Sequence, residues 1–294
     1  MKITLTGSLG NISKPLAKKL IAAGHQVTII SSKADKAAEI EALGATPAIG
    51  SVSDIDFLTK AFTGADVVYT MVPPNFGVSD YRKYIAETGE KYAQAIQKAG
   101  VKKVVNLSSI GAHLDGGTGP IAGLHDVENI FSGLDGVAVK HLRAGFFYVN
   151  FFHDIPMIKN AGFMGSNYSS DTNLVMVHPD DIADAAAEEI QASFTGKSVR
   201  YVTSAEHPIS DVVKTLGTAI GKPDLKWMEF TDEQALDGML KAGFPKPIAS
   251  MYVEMGTAVR SGILFEHYYT NKPAAQGKTK LEDFANEFAT LFNN

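Results

Sequence analysis

The sequence predicts an α/β fold, a doubly wound parallel sheet with a smaller, mostly helical region toward the C-terminal end. Three observations lead there. Strand-like and helix-like patterns alternate without interruption from residue 2 to residue 143. The run DVVYTMV (66–72) is apolar at every second position and at most positions between, as a strand covered on both faces must be. After residue 145 the alternation gives way to an aromatic, glycine-rich stretch and then to helical spacing.

The first strand is read from Ile3 and Leu5 alternating with Lys2, Thr4 and Thr6. Gly7 and Gly10 follow, and Leu16, Ala17, Leu20 and Ile21 repeat at helical spacing until Gly24. QVTII (26–30) is a second strand, residues 36–43 a helix ended by Gly44, and ATPAI (45–49) a third strand. Ser53 is the expected N-cap of a helix running to Phe62. The apolar strand 66–72 leads to a long helix bearing Tyr81, Tyr84 and Tyr92, a row that suits packing on the sheet, a dimer face or a ligand wall. KKVVNLSS (102–109), a helix around 125–131 and VAVKHLR (137–143) complete the series, and right-handed crossovers then require a parallel sheet. Beyond it, residues 174–190 read as a strand, a turn and a helix begun at Pro179-Asp180-Asp181, and KSVRYVTS (197–204) as a strand. Helices are expected over 209–220, 232–242, 247–259 and 281–292. The expected organisation is therefore a nucleotide-binding unit over 1–145, to which 173–204 return, and a smaller covering region made of 146–172 and 205–294.

Composition narrows the function. A net charge of −5, without a basic cluster, argues against nucleic acid or an anionic membrane as the main partner. No apolar run is long enough to span a bilayer. The absence of cysteine excludes disulfides, thiolate catalysis and thiolate metal sites, and fits a cytoplasmic location. His153-Asp154 and His178-x-Asp180-Asp181 lack the two-histidine spacing of a metal site.

The stretch with most chemical content is Gly7-x-x-Gly10-x-x-Ser13 between the first strand and its helix. A glycine turn there lets backbone approach a pyrophosphate and aims free helical N–H groups at its charge. The spacing matches neither G-x-G-x-x-G nor a P-loop, and a plain strand–helix turn is the alternative. Ser13 stands where a third glycine would permit close helix–strand packing, and it is small enough to do so.

Through Gly7-Ser8-Leu9-Gly10, SSIGA (108–112) and HLRAGFFYVN (141–150), the chain resembles the atypical short-chain dehydrogenase/reductases, in particular their NmrA-like branch. That branch contains quinone and dye reductases as well as non-catalytic redox sensors. The resemblance covers nearly the whole chain and implies a Rossmann-type unit holding a nicotinamide dinucleotide. It implies that Thr6, Gly7, Ser8, Leu9, Gly10, Asn11 and Ile12 wrap the pyrophosphate, and that Ser31, Ser32 and Lys33 reach the adenosine ribose. Two hydroxyls and a lysine, with no carboxylate, would attract a 2′-phosphate, so NADP(H) is expected over NAD(H). A solvated Lys33 is the alternative. Met71, Val72 and Pro73 would line the ribose–nicotinamide side, with Ser108 and Ser109 at the end of the fifth strand.

The superfamily's Tyr-x-x-x-Lys pair is missing. No tyrosine lies between Tyr92 and Tyr148 and no lysine between Lys103 and Lys140. Other NmrA-like proteins carry a histidine or lysine shortly before a glutamate in this region, so the resemblance implies His125, three residues before Glu128, as the nicotinamide contact and candidate proton donor, with capping or packing of the helix start as its other reading. His113 is a weaker candidate. Phe146 and Phe147, directly after the sixth strand, are expected to face a flat acceptor. The functional expectation is an NADPH-dependent oxidoreductase acting on a quinone, dye or enone. The alternative is a redox sensor that binds NADP(H) without turning it over. A small-molecule acceptor is the expected partner, with room left for a homodimer or a regulatory protein.

Overall fold

The computed structural model describes residues 1–294. Its first half contains β1 (Lys2–Leu5), α1 (Ser13–Ala22), β2 (Gln26–Ser31), α2 (Ala37–Ala42), β3 (Thr46–Ile49), α3 (Ile55–Phe62) and β4 (Val67–Thr70). α4 (Tyr81–Ala99), β5 (Lys103–Ser109), α5 (Ile121–Ser132) and β6 (Ala138–Ala144) follow. The second half contains β7 (Phe146–Phe147), α6 (Ile155–Ala161), β8 (Phe163–Ser166), β9 (Asn173–Val177), α7 (Pro179–Gln191), β10 (Lys197–Val202) and β11 (Ala205–Pro208). It ends with α8 (Ile209–Ala219), β12 (Lys226–Glu229), α9 (Asp232–Lys241), α10 (Lys246–Ser261), α11 (Glu266–Thr270) and α12 (Leu281–Asn293).

Seven strands form one sheet in the order β3-β2-β1-β4-β5-β6-β10, all parallel. This is the expected Rossmann-type sheet, and the chain reverses its direction of winding between β1 and β4. One face packs on α1 and α7 through Leu5, Leu16, Leu20, Ile29, Val105, Ile182 and Ile190. The other packs on α3, α4 and α5 through Leu58, Phe62, Val68, Tyr92, Ile96, Val104 and Phe131. Each such fully buried aliphatic or aromatic side chain contributes about 1.5–3 kcal/mol, which explains why the alternation of buried positions dictates the sheet. The tyrosine row is resolved here. Tyr81 and Tyr92 are buried, and the Tyr92 hydroxyl donates to the Met71 carbonyl at 2.9 Å.

Two expectations need correction. Asp54, not Ser53, caps α3, because its carboxylate accepts the N–H groups of Asp56 and Phe57. Residues 173–177 do not return to the main sheet, although α7 and β10 do. β9 pairs with β7 and antiparallel β11 in a separate three-stranded sheet. The run LVMV is apolar on both faces either way, so periodicity could not tell one sheet from the other.

The smaller region has its own core. Tyr148 stacks on Phe284 at 5.2 Å, Phe152 lies against Phe284 and Phe288, and Phe151 is buried beside them. Two features fasten it to the main sheet. At Gly145 a Cβ would lie 2.6 Å from the Val175 carbonyl oxygen, so the strand exit crosses β9 in direct contact. The buried Asp181 carboxylate accepts the Ser204 hydroxyl and the N–H groups of Lys278 and Thr279, which holds the approach to α12 against the start of α7. The Asp180 N–H in turn donates to His178 Nδ1, which caps α7. No helix is long and apolar enough to cross a membrane.

A polar ladder runs across the α4/α5 side of the sheet. The Thr70 hydroxyl donates to Asn106 Oδ1 at 2.8 Å, and Asn106 Nδ2 donates to His141 Nδ1 at 3.1 Å. Burial pushes the His141 pKa down to about 4. The unfolded chain takes up this proton near pH 6.5 and the native state refuses it, so stability is full above pH 6.5 and falls as pH drops toward 4. The expected loss from this one group is about 3 kcal/mol. In urea unfolding followed from pH 7 to pH 4, His141→Gln should flatten this dependence. An unchanged slope would remove His141 as its source.

Candidate functional site

A cleft of about 650 Å³ opens above the C-terminal ends of β1, β2 and β4, at the point where the winding reverses. Its floor is the turn after β1. Gly7 has φ +92°, and a Cβ there would lie 2.5 Å from Ser13 Oγ and 3.0 Å from Met71 Cγ. Ser13 is small enough for this approach, as expected, and its hydroxyl also donates to the Thr6 carbonyl at 2.8 Å. Ser8 adopts φ +53° and its N–H donates to the Ile30 carbonyl, while its hydroxyl donates to Ser31 Oγ at 2.9 Å. The turn is thereby tied to β2.

α1 has no side-chain cap. The N–H groups of Asn11, Ile12 and Ser13 find no acceptor in the protein; α5 and α8 also lack side-chain caps, but their first N–H groups are taken by backbone carbonyls. Three unpaired donors and the positive end of the helix dipole meet at the cleft floor. An anion is the ligand chemistry this arrangement accepts.

The walls carry no charged side chain. On the β2–β3 side, Ser31, Ser32, Ser51, Val52 and Ser53 supply hydroxyls around a small apolar surface. Pro73, Pro74, Asn75 and Tyr84 close the adjoining side, and the Tyr84 hydroxyl donates to the Pro73 carbonyl at 2.8 Å. On the β4–β5 side, Tyr69, Met71, Leu107 and Phe147 form an apolar and aromatic wall.

Of the residues singled out in the sequence, the cleft brings together Gly7, Ser8, Gly10, Asn11, Ile12, Ser31, Ser32, Met71, Pro73 and Phe147. The others stand elsewhere. Thr6 is buried, accepting the Met71 N–H and joining β1 to β4. Leu9 packs toward the α1/α7 core and Val72 toward the α3/α4 core. Lys33 is exposed on the turn after β2 and is not part of the wall. Phe146 turns away to pack on Phe151 at 5.2 Å.

Ser108 and His125 differ most from expectation. Ser108 is buried and donates to Glu128, which pairs with Arg143 through two contacts of 2.6 and 3.0 Å. Ser109 donates to the Ile110 carbonyl. The ring nitrogens of His125 are both engaged, Nδ1 with the Ala112 carbonyl at 2.9 Å and Nε2 with Asn129 Nδ2 at 2.7 Å. Outside the cleft and with both nitrogens occupied, His125 holds the loop after β5 against α5. His113 lies beside His267 at 5.1 Å, also outside the cleft.

Sequence reading missed Ser51, Val52, Ser53, Asn75, Tyr69 and Leu107. The first three lie in a turn without a motif, and Tyr69 and Leu107 sit inside strands where an apolar pattern reads as core.

Comparison with known proteins agrees with this geometry. Residues 7–134 match the model of an NAD(P)H-binding family. The segment contains the glycine turn, the serine-lined wall and β4. An NADPH-dependent quinone oxidoreductase from Escherichia coli, solved with NADPH, has a similar fold, with a TM-score of 0.82 over 97% of this chain and 99% of that one at 20% identity. A triphenylmethane reductase from Citrobacter sp. aligns over 99% and 100% of the two chains with a TM-score of 0.80 at 18% identity. UDP-glucose 4-epimerase from Bifidobacterium longum, solved with NAD+ and UDP, aligns over 100% and 98% with a TM-score of 0.69 at 14% identity. At these identities the likeness is one of fold. An uncharacterised protein of Schizosaccharomyces pombe is 34% identical over 79 residues, 26% of this chain and 27% of its own length. These findings agree with the resemblance to atypical short-chain dehydrogenase/reductases.

Two substitutions test the geometry. Gly7→Ala forces a Cβ into the Ser13–Met71 contact at a left-handed φ and should cost about 2 kcal/mol or more. It should also weaken dinucleotide binding, with thermal unfolding and NADPH titration as the measurements. His125→Ala should lower the melting temperature while leaving the NADPH dissociation constant within about twofold of wild type, roughly the 0.4 kcal/mol expected for a residue outside the cleft. A large rise in that constant would return His125 to the site.

Proposed function

We propose that the protein binds NADPH in preference to NADH and delivers its hydride to a small flat acceptor such as a quinone, a dye or an enone. The observation that carries the reading is the uncapped start of α1 beneath a cleft without charged walls. Free N–H groups from Asn11, Ile12 and Ser13 would hold a pyrophosphate there, and the Gly7 turn provides the close approach. Bound NADPH supplies the hydride.

The preference for the 2′-phosphate is argued from what surrounds Ser31 and Ser32. No carboxylate lines the wall to hold a 2′-hydroxyl or repel a phosphate. The exposed Lys33 stands next to Ser32 on the same turn and supplies a cation for an added phosphate. Met71, Leu107 and Phe147 provide the apolar surface for an acceptor. Their task is positioning. A quinone that accepts the hydride becomes a hydroquinone anion that solvent can protonate, and a cationic triphenylmethane dye becomes a neutral leuco compound that needs no proton, so the missing Tyr-x-x-x-Lys pair is no obstacle.

The same wall supports a second reading. It contains no histidine, carboxylate or lysine that could move a proton near pH 7, which suits a sensor that only holds NADP(H). Two measurements separate these. In titrations with both cofactors NADPH should bind about tenfold more tightly than NADH, the effect of one added charge-assisted contact. NADPH consumption should then be measured with a panel of quinones, azo dyes and triphenylmethane dyes. Tight NADPH binding with no turnover on any of them would sink the reductase reading and leave the sensor.

A further inference from the structure

Tyr69 lies in β4 at the centre of the sheet, and its ring forms part of the wall between the glycine turn and Phe147. The side chain is fully buried. Its hydroxyl has no hydrogen-bond partner in the protein. Seven buried side-chain polar atoms share that condition, on Tyr69, His113, Thr118, His141, Tyr148, Ser198 and Thr203, and of these residues only Tyr69 lines the cleft.

The contrast with its neighbours is chemical. Tyr84 and Tyr92 bring their hydroxyls to the same strand end, and each is satisfied by a backbone carbonyl, of Pro73 and of Met71. The cleft hydroxyls of Ser8, Ser13 and Ser31 are likewise paired. A phenol buried without a partner costs the full desolvation of its O–H, and phenylalanine would fill the same ring space without that cost. Burial also raises the Tyr69 pKa well above the ordinary phenol value, so the group keeps its proton and stays a donor.

We propose that the Tyr69 hydroxyl, closed off from solvent in the empty protein, is uncovered as the dinucleotide enters the cleft and donates a hydrogen bond to one of its oxygens. This rests on the reading of the cleft as an NAD(P)H site. It assigns a binding role to a strand residue that lies outside the glycine turn. It also makes two predictions that point in opposite directions, because the orphan hydroxyl burdens the empty protein and serves the loaded one.

The test compares wild type with Tyr69→Phe by NADPH titration and by thermal unfolding with and without NADPH. The expected result is an NADPH dissociation constant about five- to tenfold higher, as for loss of one hydrogen bond. The melting temperature without cofactor should be unchanged or higher, and the rise on adding NADPH smaller. A dissociation constant within twofold of wild type would show that the hydroxyl meets no cofactor oxygen, whether an internal water or nothing satisfies it. A fall in apo melting temperature together with weaker binding would make Tyr69 a structural residue, which also overturns the proposal. If wild type binds neither NADPH nor NADH, the reading of the cleft fails and this inference fails with it. If wild type binds and Tyr69→Phe binds equally well, only the role of Tyr69 is lost.

Discussion

The hydrogen bond from Ser13 Oγ to the Thr6 carbonyl is short, local and buried, and the cleft is built around it. It pins the first turn of α1 to the end of β1 with only Gly7, Ser8, Leu9, Gly10, Asn11 and Ile12 between. A loop that tight requires two left-handed residues and leaves no volume for a Cβ at Gly7. α1 has no side-chain cap because its cap position is Ile12, which carries no polar side-chain atom. The N–H groups left unpaired at this helix start would be satisfied by a bound anion. Thr6 extends the same constraint sideways, with its hydroxyl and its N–H both bonded to β4 at Met71 and Tyr69.

Much of this was legible in the sequence because parallel strands covered on both faces leave a strong signal. The runs 66–72 and 102–109 could hardly be anything else, and Gly7, Gly10 and Ser13 sit at a spacing with a mechanical meaning. The ends of strands were less legible. Whether Phe146 or Phe147 faces ligand depends on a half-turn of backbone after Gly145, and both are phenylalanine in the text. Ser53 and Asp54 are adjacent good caps, and only φ and ψ choose between them. β9 reads as any buried strand, and its sheet is decided by a crossing many residues away. Tyr69 was invisible for a different reason, since its pattern position is correct for core and only the missing partner of its hydroxyl sets it apart.

Ser108 shows how a resemblance can place a residue correctly in the chain and leave its surroundings open. It ends β5 where the superfamily keeps an active hydroxyl. Glu128 and Arg143 form a bidentate buried pair below it, and a buried carboxylate needs every donor it can find. Ser108 supplies one, and Tyr201 joins the other side through the guanidinium at 3.3 Å. Removing either charge would strand the other, at a cost of about 3–5 kcal/mol. The group that looks reactive in the sequence is in this chain a hydrogen-bond donor to a buried ion pair.

The contact at Gly145 bears on the shape of the cleft. Three passages of chain meet there, with the Gly145 N–H on the Val202 carbonyl, the Ser204 N–H on the Met176 carbonyl, and no room for a side chain between Gly145 and Val175. This junction fastens the smaller region to the main sheet at the end of β6. Phe147, two residues beyond Gly145, is anchored by it at the cleft wall. A side chain at position 145 would push the end of β6 away from β9 and carry Phe147 with it, so the shape of the cleft on this side hangs on one absent methyl group.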